Sequence, residues 1–206
     1  MATGTKSKRK KAKKRKYTSS ILSNIRKPSE MTVAEWQTIL RKQIAEKSDF
    51  KITNIGGGLA YSDYHVFNAN TKNTYKVALR SADNSLNYCS CYDFKTNQLG
   101  TCKHIEAVLI YIQKRPSLRK ALKQTYSTTY TSMYIEYRGE RKIKFRIGTE
   151  NEKEYKKLLK PYTDSSGSLN EKGFEEIDGL LQKAFQVNSS FRCYEDALSH
   201  IIQLRE

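Results

Sequence analysis

The chain has 206 residues, of which 37% are hydrophobic and 29% are charged, and this composition is typical of a globular protein. It has no apolar run of the roughly eighteen residues that a membrane span requires, and no apolar segment follows the basic residues near its N-terminus. We therefore expect neither a membrane protein nor a secreted one, and we expect the four cysteines to stay reduced.

The formal net charge of +17 is distributed unevenly along the chain. Residues 6–16 hold nine Lys or Arg and no acid, residues 17–131 hold sixteen bases and eight acids, and residues 132–206 hold thirteen of each. Such an excess of positive charge attracts polyanions, so the first two segments are the candidate nucleic-acid surfaces.

The most basic stretch, KSKRKKAKKRK, repels itself and cannot bury a core, which predicts a disordered basic arm over residues 1–17. A nuclear import signal and a solubilising tail have the same composition, so both remain alternatives to nucleic-acid contact. The residues of the arm that we expect to bind nucleic acid are Lys10, Lys11, Lys13, Lys14 and Arg15.

Two predicted elements precede the cysteines. Thr32 and Glu35 have the spacing of a capping box and are followed by apolar residues at helical spacing, which predicts an amphipathic helix over residues 29–47. The segments AYSDYHVFNA, NTYKVALRS and LNYCSCYDF are rich in β-forming residues and are separated by the turn sequences NANTKN and SADNS. They predict a three-stranded antiparallel meander that carries the first pair of cysteines.

Three of the four cysteines and one histidine fall within sixteen residues, as Cys89-x-Cys91 and, ten residues later, Cys102-x-His104. Three thiolates and an imidazole form a complete tetrahedral ligand set for a structural Zn²⁺ ion. The first pair would face one way from an extended segment, whereas the second pair would lie at the start of a helix after a bend at Gly100. We therefore predict a zinc site at these four residues. A disulfide or redox pair, and cysteines that simply pack in the core, are the alternatives.

The segment after the zinc motif predicts a core-facing helix that ends before Pro116 and then a short helix with a basic face, SLRKALKQTY. Basic residues on a helix beside a zinc site are candidate phosphate contacts, and a merely solvated face is the alternative. The polar stretch YSTTYTS then predicts a domain boundary. The nucleic-acid-binding residues predicted in this part of the chain are Lys103, Arg119, Lys120 and Lys123.

The C-terminal segment predicts a β-hairpin followed by helices. The hairpin comes from MYIEYRGERKIKFRIG, which has two alternating runs across a Gly-Glu turn. The pairs Thr149 with Glu152 and Ser168 with Glu171 repeat the capping-box spacing, and each predicts a helix that starts one residue after its Thr or Ser. The sequence FRCYEDALSHIIQLRE predicts a last helix.

The Cys-x-Cys, gap, Cys-x-His pattern resembles the SWIM zinc finger, and TNQLGTCKHIEAVL looks like the version found near the N-terminus of bacterial helicase-like ATPases of the SWI/SNF type. The similarity runs from about Pro28 through FKITNIGGG to RCYEDALSHIIQLRE. It implies that the SWIM ligands are Cys89, Cys91, Cys102 and His104. In two respects the chain departs from those proteins: Tyr92 stands where they often have Pro, and no motor follows the finger.

Together these patterns predict an α+β fold. A small antiparallel sheet with helices surrounds the zinc site in a SWIM module over residues 28–125, and a hairpin-and-helices module follows over residues 132–206. No Walker A pattern occurs and the acidic residues are dispersed, so we expect a protein that is not an enzyme.

The function that we expect is a non-catalytic zinc-binding module that binds nucleic acid, DNA more than RNA. The resemblance implies a regulatory or targeting role for a SWI/SNF-type helicase, which makes a helicase motor protein an expected partner. We expect a cytoplasmic, nucleoid-associated location, or a nuclear one if the source is eukaryotic. A protein–protein interaction adaptor with a purely structural zinc is the alternative.

Overall fold

The structure is a computed structural model, and it describes residues 22–206. The predicted basic arm, with its five candidate nucleic-acid-binding residues, lies outside the described residues. None of the helices within residues 22–206 is both long enough and apolar enough to cross a membrane.

The chain opens with helix α1 (Val33–Lys47), which starts at the predicted capping box. The Thr32 hydroxyl accepts the backbone N–H of Glu35, and the Glu35 carboxylate accepts the backbone N–H of Thr32 at 3.0 Å. These two bonds satisfy backbone donors that no helical carbonyl can reach, so the helix begins where the sequence predicts.

A four-stranded sheet follows α1, and its strands pair antiparallel in chain order. The strands are β1 (Phe50–Asn54), β2 (Asp63–Asn68), β3 (Asn73–Ala78) and β4 (Tyr88–Cys89). The predicted meander corresponds to the last three. The first strand, which pairs with β2 across the glycine-rich turn at residues 56–58, was not predicted, although Phe50 and Ile52 alternate with the exposed Lys51 and Thr53.

Three helices complete this part of the chain: α2 (Tyr92–Thr96), α3 (Lys103–Gln113) and α4 (Pro116–Ala121). Helix α3 packs against both α1 and the sheet. Its residues Ile105, Val108 and Ile112 are fully buried, and each contributes about 1.5–3 kcal/mol of hydrophobic stabilisation. The helix therefore anchors the second pair of metal-binding residues to the core.

A second, three-stranded sheet has the order β6-β5-β7, with β5 (Ser132–Glu136) antiparallel to β6 (Lys142–Arg146) and parallel to β7 (Arg192–Cys193). The predicted hairpin is β5–β6. The helices in this part of the chain are α5 (Glu152–Leu159), α6 (Glu171–Glu175), α7 (Ile177–Val187) and α8 (Glu195–Arg205), and a 3₁₀ turn lies at Lys160–Tyr162. The α+β class, with a small antiparallel sheet and helices followed by a hairpin with helices, is confirmed.

Both helices predicted to start at about Glu150 and Leu169 are present, beginning at Glu152 and Glu171, but the predicted capping residues are wrong. The backbone N–H of Thr149 donates to the Thr128 carbonyl at 3.0 Å, so this residue is tied to the preceding linker, and α5 begins later, after Asn151. Ser168 forms an isolated β-bridge with Lys144, and α6 is capped instead by Asn170. In both cases the residue that the local pattern assigns to a helix cap is instead held by a backbone contact with a residue distant in the sequence.

The loop between the two metal-binding pairs packs against the β5–β6 hairpin, and we call this contact between the two sheets the seam. The N–H of Gly139 donates to the carbonyl of Gln98 at 2.8 Å, and the ring of Phe94 lies 4.9 Å from that of Tyr137. The buried residues on both sides belong to one hydrophobic cluster. The proposed division between residues 28–125 and 132–206 stays a prediction.

Candidate metal centre

The four predicted ligands come from four positions that the fold brings together at the ends of three elements. Cys89 ends β4, Cys91 is the N-cap of α2, Cys102 is the N-cap of α3, and His104 lies in the first turn of α3. All four residues are buried, and their ligand atoms lie within 4.8 Å of one another. The extended first pair and the helix-start second pair are arranged as the spacing predicts.

The separations between these atoms fit a tetrahedral zinc ion. Bond lengths of about 2.3 Å to sulfur and about 2.0 Å to nitrogen place neighbouring tetrahedral donors roughly 3.5–3.8 Å apart. The Nδ1 atom of His104 lies 3.7 Å from the Cys89 sulfur and 4.0 Å from the Cys102 sulfur. The residues present therefore suit Zn²⁺ in ligand type, number and spacing.

The electrostatics of the cluster also call for a cation. Burial raises the pKa of the Cys102 thiol, and the neighbouring Cys89 and Cys91 raise it further. The pKa of Cys91 is lowered, because the Cys102 and Cys89 thiols donate hydrogen bonds to its sulfur. In the protein alone, burial and mutual proximity thus oppose ionisation of all three thiols together. A divalent cation supplies the charge that allows all three sulfurs to ionise.

The imidazole of His104 is oriented by aromatic packing. The ring of Tyr75 stacks on it with centroids 4.0 Å apart, and the ring of Phe50 meets it edge-on at 5.3 Å. Its Nε2 atom is buried and has no hydrogen-bond partner within residues 22–206, whereas Nδ1 faces the sulfurs. The geometry therefore assigns Nδ1 as the ligand atom.

The loop between the two ligand pairs is shaped by side chains that the sequence reasoning did not single out. The side chain of Asn97 accepts the N–H of Leu99 at 2.8 Å and donates to the carbonyl of Thr101 at 2.8 Å. An Asn shortly before a Gly is a turn signal, and it could have indicated this role. Arg41 of α1 adds a two-pronged ion pair to Asp93 of α2 at 3.0 and 2.6 Å.

Comparison with protein families identifies the zinc-binding region. Residues 64–113 match the SWIM zinc finger family. The SWIM match runs from β2 to the end of α3 and contains all four cluster residues, so the predicted Zn²⁺ cofactor is confirmed. Neither the curated proteins nor the solved structures gave a match to this chain.

The predicted nucleic-acid-binding residues of the folded part lie close to the SWIM finger but do not form one patch. Arg119 of α4 and Lys123 just after it are exposed and line a recess of about 660 Å³. Lys120 is exposed but does not line this recess, and Lys103 is half-buried at the start of α3. We call this cavity the α4 recess; its other lining residues include Tyr61, Arg80 and Tyr126.

Proposed function

We propose that the chain is a non-catalytic zinc-binding module that binds nucleic acid, DNA in preference to RNA, through the basic surface beside its SWIM finger. The observation that carries this proposal is the α4 recess, where Arg119 and Lys123 lie with two tyrosines at the C-terminal end of α3, the helix whose first turn carries the metal ligands. Cations that contact phosphate and aromatic rings that stack on bases are the usual means of binding nucleic acid.

The metal centre itself supports a structural role for zinc. A catalytic zinc keeps one position open for water or substrate, whereas here four buried side chains provide a complete set. The metal would then hold β4, α2 and α3 together and leave binding to the surface around them.

A role as the regulatory or targeting part of a SWI/SNF-type helicase belongs to the same proposal. It is supported by the resemblance of TNQLGTCKHIEAVL and its flanks to the region ahead of the motor in such proteins. The partner in this role is a helicase motor protein that acts on DNA, and the corresponding location is cytoplasmic, at the nucleoid, or nuclear in a eukaryote.

One observation favours the second candidate, a protein–protein interaction adaptor. Helix α8 exposes Leu198 and Ile202, which are one helical turn apart, with Ile202 58% exposed. An apolar stripe of this kind suits a partner protein more than nucleic acid. The two functions are compatible, because α8 belongs to the second sheet's side of the molecule and α4 to the finger's side.

The α4 recess predicts a specific effect of charge reversal. We expect the double substitution Arg119→Glu with Lys123→Glu to weaken nucleic-acid binding at least about tenfold, because two phosphate-contacting cations become repulsive. Fluorescence anisotropy with labelled single and double strands across a salt series measures this effect. Zinc content should not change.

The matched control is Lys114→Glu with Lys120→Glu, which alters the net charge equally at exposed positions outside the α4 recess. Deleting residues 6–16 from either variant should flatten the salt dependence, by about 0.9 in log–log slope for each phosphate released from duplex DNA. Equal losses in the two charge-reversal pairs would show that the recess has no special role. No binding of either strand at low salt by the unaltered protein would refute the function.

A further inference from the structure

A second recess, of about 680 Å³, opens between the two sheets. We call it the inter-sheet recess. It adjoins the α4 recess, because Arg80 and Leu86 line both. Its basic lining residues outnumber the acidic ones, Asp63, Glu195 and Asp196. The basic residues are Lys76, Arg80, Lys95, Arg141, Arg146 and Arg192.

Not all of these cations are available to a ligand. Arg80 is already engaged, since it forms an ion pair with Asp63 and donates to the carbonyls of Ser62 and Leu79 at 2.9 and 3.0 Å. Lys76 shares the Asp63 carboxylate. Their role is to hold β2 and β3 together at the rim of the recess.

Arg146 of β6 is different. Its guanidinium lies 4.6 Å from the centre of the Tyr134 ring and 5.3 Å from that of Tyr126, and it forms no ion pair with a carboxylate in the described part of the chain. Its Nε atom is buried without a hydrogen-bond partner among residues 22–206. Arg146 is half-buried, and a buried N–H donor on a cation without a counter-charge is costly, so an anionic ligand would reduce that cost.

The register of the second sheet places a second arginine and a hydroxyl beside it. Ser132 of β5 pairs with Arg146 on one side and with Arg192 on the other. Residues in register on neighbouring strands project from the same face of a sheet, so the three side chains form a row. The Ser132 hydroxyl is fully buried and has no hydrogen-bond partner within residues 22–206. Ser132 itself does not line the inter-sheet recess, so it spaces the two arginines from within the sheet, and the unsatisfied Arg146 Nε belongs to a side chain that does line it.

Tyrosines surround this row and fix its cations. The guanidinium of Arg192 lies 3.8 Å from the centre of the Tyr130 ring, and the Tyr130 hydroxyl lies 3.5 Å from that of Tyr194. Despite burial, the pKa of Tyr130 is lowered by the Tyr194 hydroxyl and by the positive charges of Arg192 and Arg80. The lowered pKa reflects a positive potential. Guanidinium groups stacked on aromatic rings keep their planar N–H edges free for a phosphate.

We propose that Arg146 and Arg192 form a phosphate subsite, and that the inter-sheet recess, which both of them line, holds a segment of single-stranded nucleic acid. This inference rests on the proposed nucleic-acid function. Tyrosine rings such as Tyr134 stack on unpaired bases, whereas the bases of a duplex are already stacked and paired inside the helix. Because the two recesses adjoin at Arg80 and Leu86, a single strand bound in the inter-sheet recess can continue into the α4 recess.

The test uses the full-length protein with zinc bound and measures anisotropy of a labelled oligothymidine and of a duplex. Arg146→Gln with Arg192→Gln should weaken single-strand binding about tenfold and lower its salt slope by roughly 0.7 for one phosphate lost. Duplex binding should change no more than in the control Lys153→Gln with Lys157→Gln, two exposed lysines of α5. Arg146→Lys with Arg192→Lys restores the charge but should recover only part of the affinity. A lysine ammonium lacks the planar set of N–H donors with which a guanidinium binds two phosphate oxygens at once.

Two further variants keep the test decisive. Arg192→Gln alone alters an exposed side chain, so it leaves the core intact and should still weaken single-strand binding about threefold. Tyr134→Leu should weaken single-strand binding without changing the salt slope, since stacking involves no counterion release.

If Arg146→Gln with Arg192→Gln binds single strands within about twofold as tightly as the control Lys153→Gln with Lys157→Gln, the phosphate subsite is overturned. The proposed function would still stand. Equal losses for single strand and duplex would overturn the strand preference. Binding of a phosphopeptide by an unaltered protein that binds no nucleic acid would overturn both the inference and the proposed function.

Discussion

Removal of Zn²⁺ is expected to unfold the SWIM finger and leave the second sheet with its helices largely folded. Zinc contributes about 10–16 kcal/mol in zinc-finger peptides, which matches or exceeds the whole stability of a typical domain, about 5–15 kcal/mol. Without the metal, the four ligand side chains would be linked to one another only by weak sulfur contacts such as that between the Cys89 sulfur and the His104 Nδ1 atom. The second sheet and its helices contribute their own buried side chains to the shared hydrophobic cluster, among them Met133, Tyr155 and Leu180, which are almost fully buried and lie outside the SWIM finger.

Hydrogen exchange with and without a chelator measures this directly. Protection should be lost across residues 64–113 and kept across most of residues 132–206. Loss of protection throughout the chain would contradict the division into two modules.

A single substitution should have the same effect as the chelator. Elemental analysis is expected to find one zinc per chain, and Cys102→Ser should abolish it, because this buried sulfur has no substitute within residues 22–206. Cys193→Ser is the matched control, since Cys193 lies on β7 outside the cluster. Because the raised pKa of Cys102 keeps its proton in the metal-free protein, zinc binding should release protons and weaken as the pH falls. A metal-free native protein with a Cys89–Cys91 disulfide would refute the zinc site.

Gly100→Ala is expected to weaken both folding and zinc binding. Gly100 has a left-handed φ of +70°, and an added methyl group would lie 2.5 Å from the carbonyl oxygen of Asn84. Left-handed backbone costs a non-glycine residue about 1–2 kcal/mol, and overpacking against backbone adds about 1–3 kcal/mol. The shift needed to relieve the clash would also move Cys102, so zinc affinity should fall together with stability.

Gly139→Ala separates the two contributions. Gly139 has a similar φ of +77°, but no atom lies within 4 Å of the position that its methyl group would take. Its cost should therefore be the backbone contribution alone, about 1–2 kcal/mol, with zinc affinity unchanged. Urea unfolding and competition with a zinc chelator measure both quantities. If the two variants lose equal stability, the contact between Gly100 and Asn84 does not matter.

The features that could be predicted from the sequence are those with local causes. The zinc ligands lie within sixteen residues, the Thr32 capping box spans four, and the β5–β6 hairpin closes through one turn, so short-range geometry decides each of them. The same local rule failed at Thr149 and Ser168, because backbone partners distant in the sequence captured them.

What could not be predicted depends on long-range pairing. Strand β7 has two residues and pairs parallel to β5, some sixty residues earlier, so it has no pattern of its own. That pairing is nevertheless what brings Arg192 into the row with Ser132 and Arg146. From their sequence, residues 132–206 have no predicted role in nucleic-acid binding, because their net charge is zero. Net charge conceals how the fold sorts its acids and bases onto different faces.

The seam between the two sheets has a thermodynamic consequence. The loop that joins the two ligand pairs of the metal is bonded to the hairpin turn through Gln98 and Gly139, and Lys95 of α2 accepts a bond from Arg141 at its carbonyl. Lys95 and Arg141 also line the inter-sheet recess. A ligand that tightens this seam would raise the affinity of the cluster for the metal, and by reciprocity the metal would raise the affinity for that ligand by the same factor.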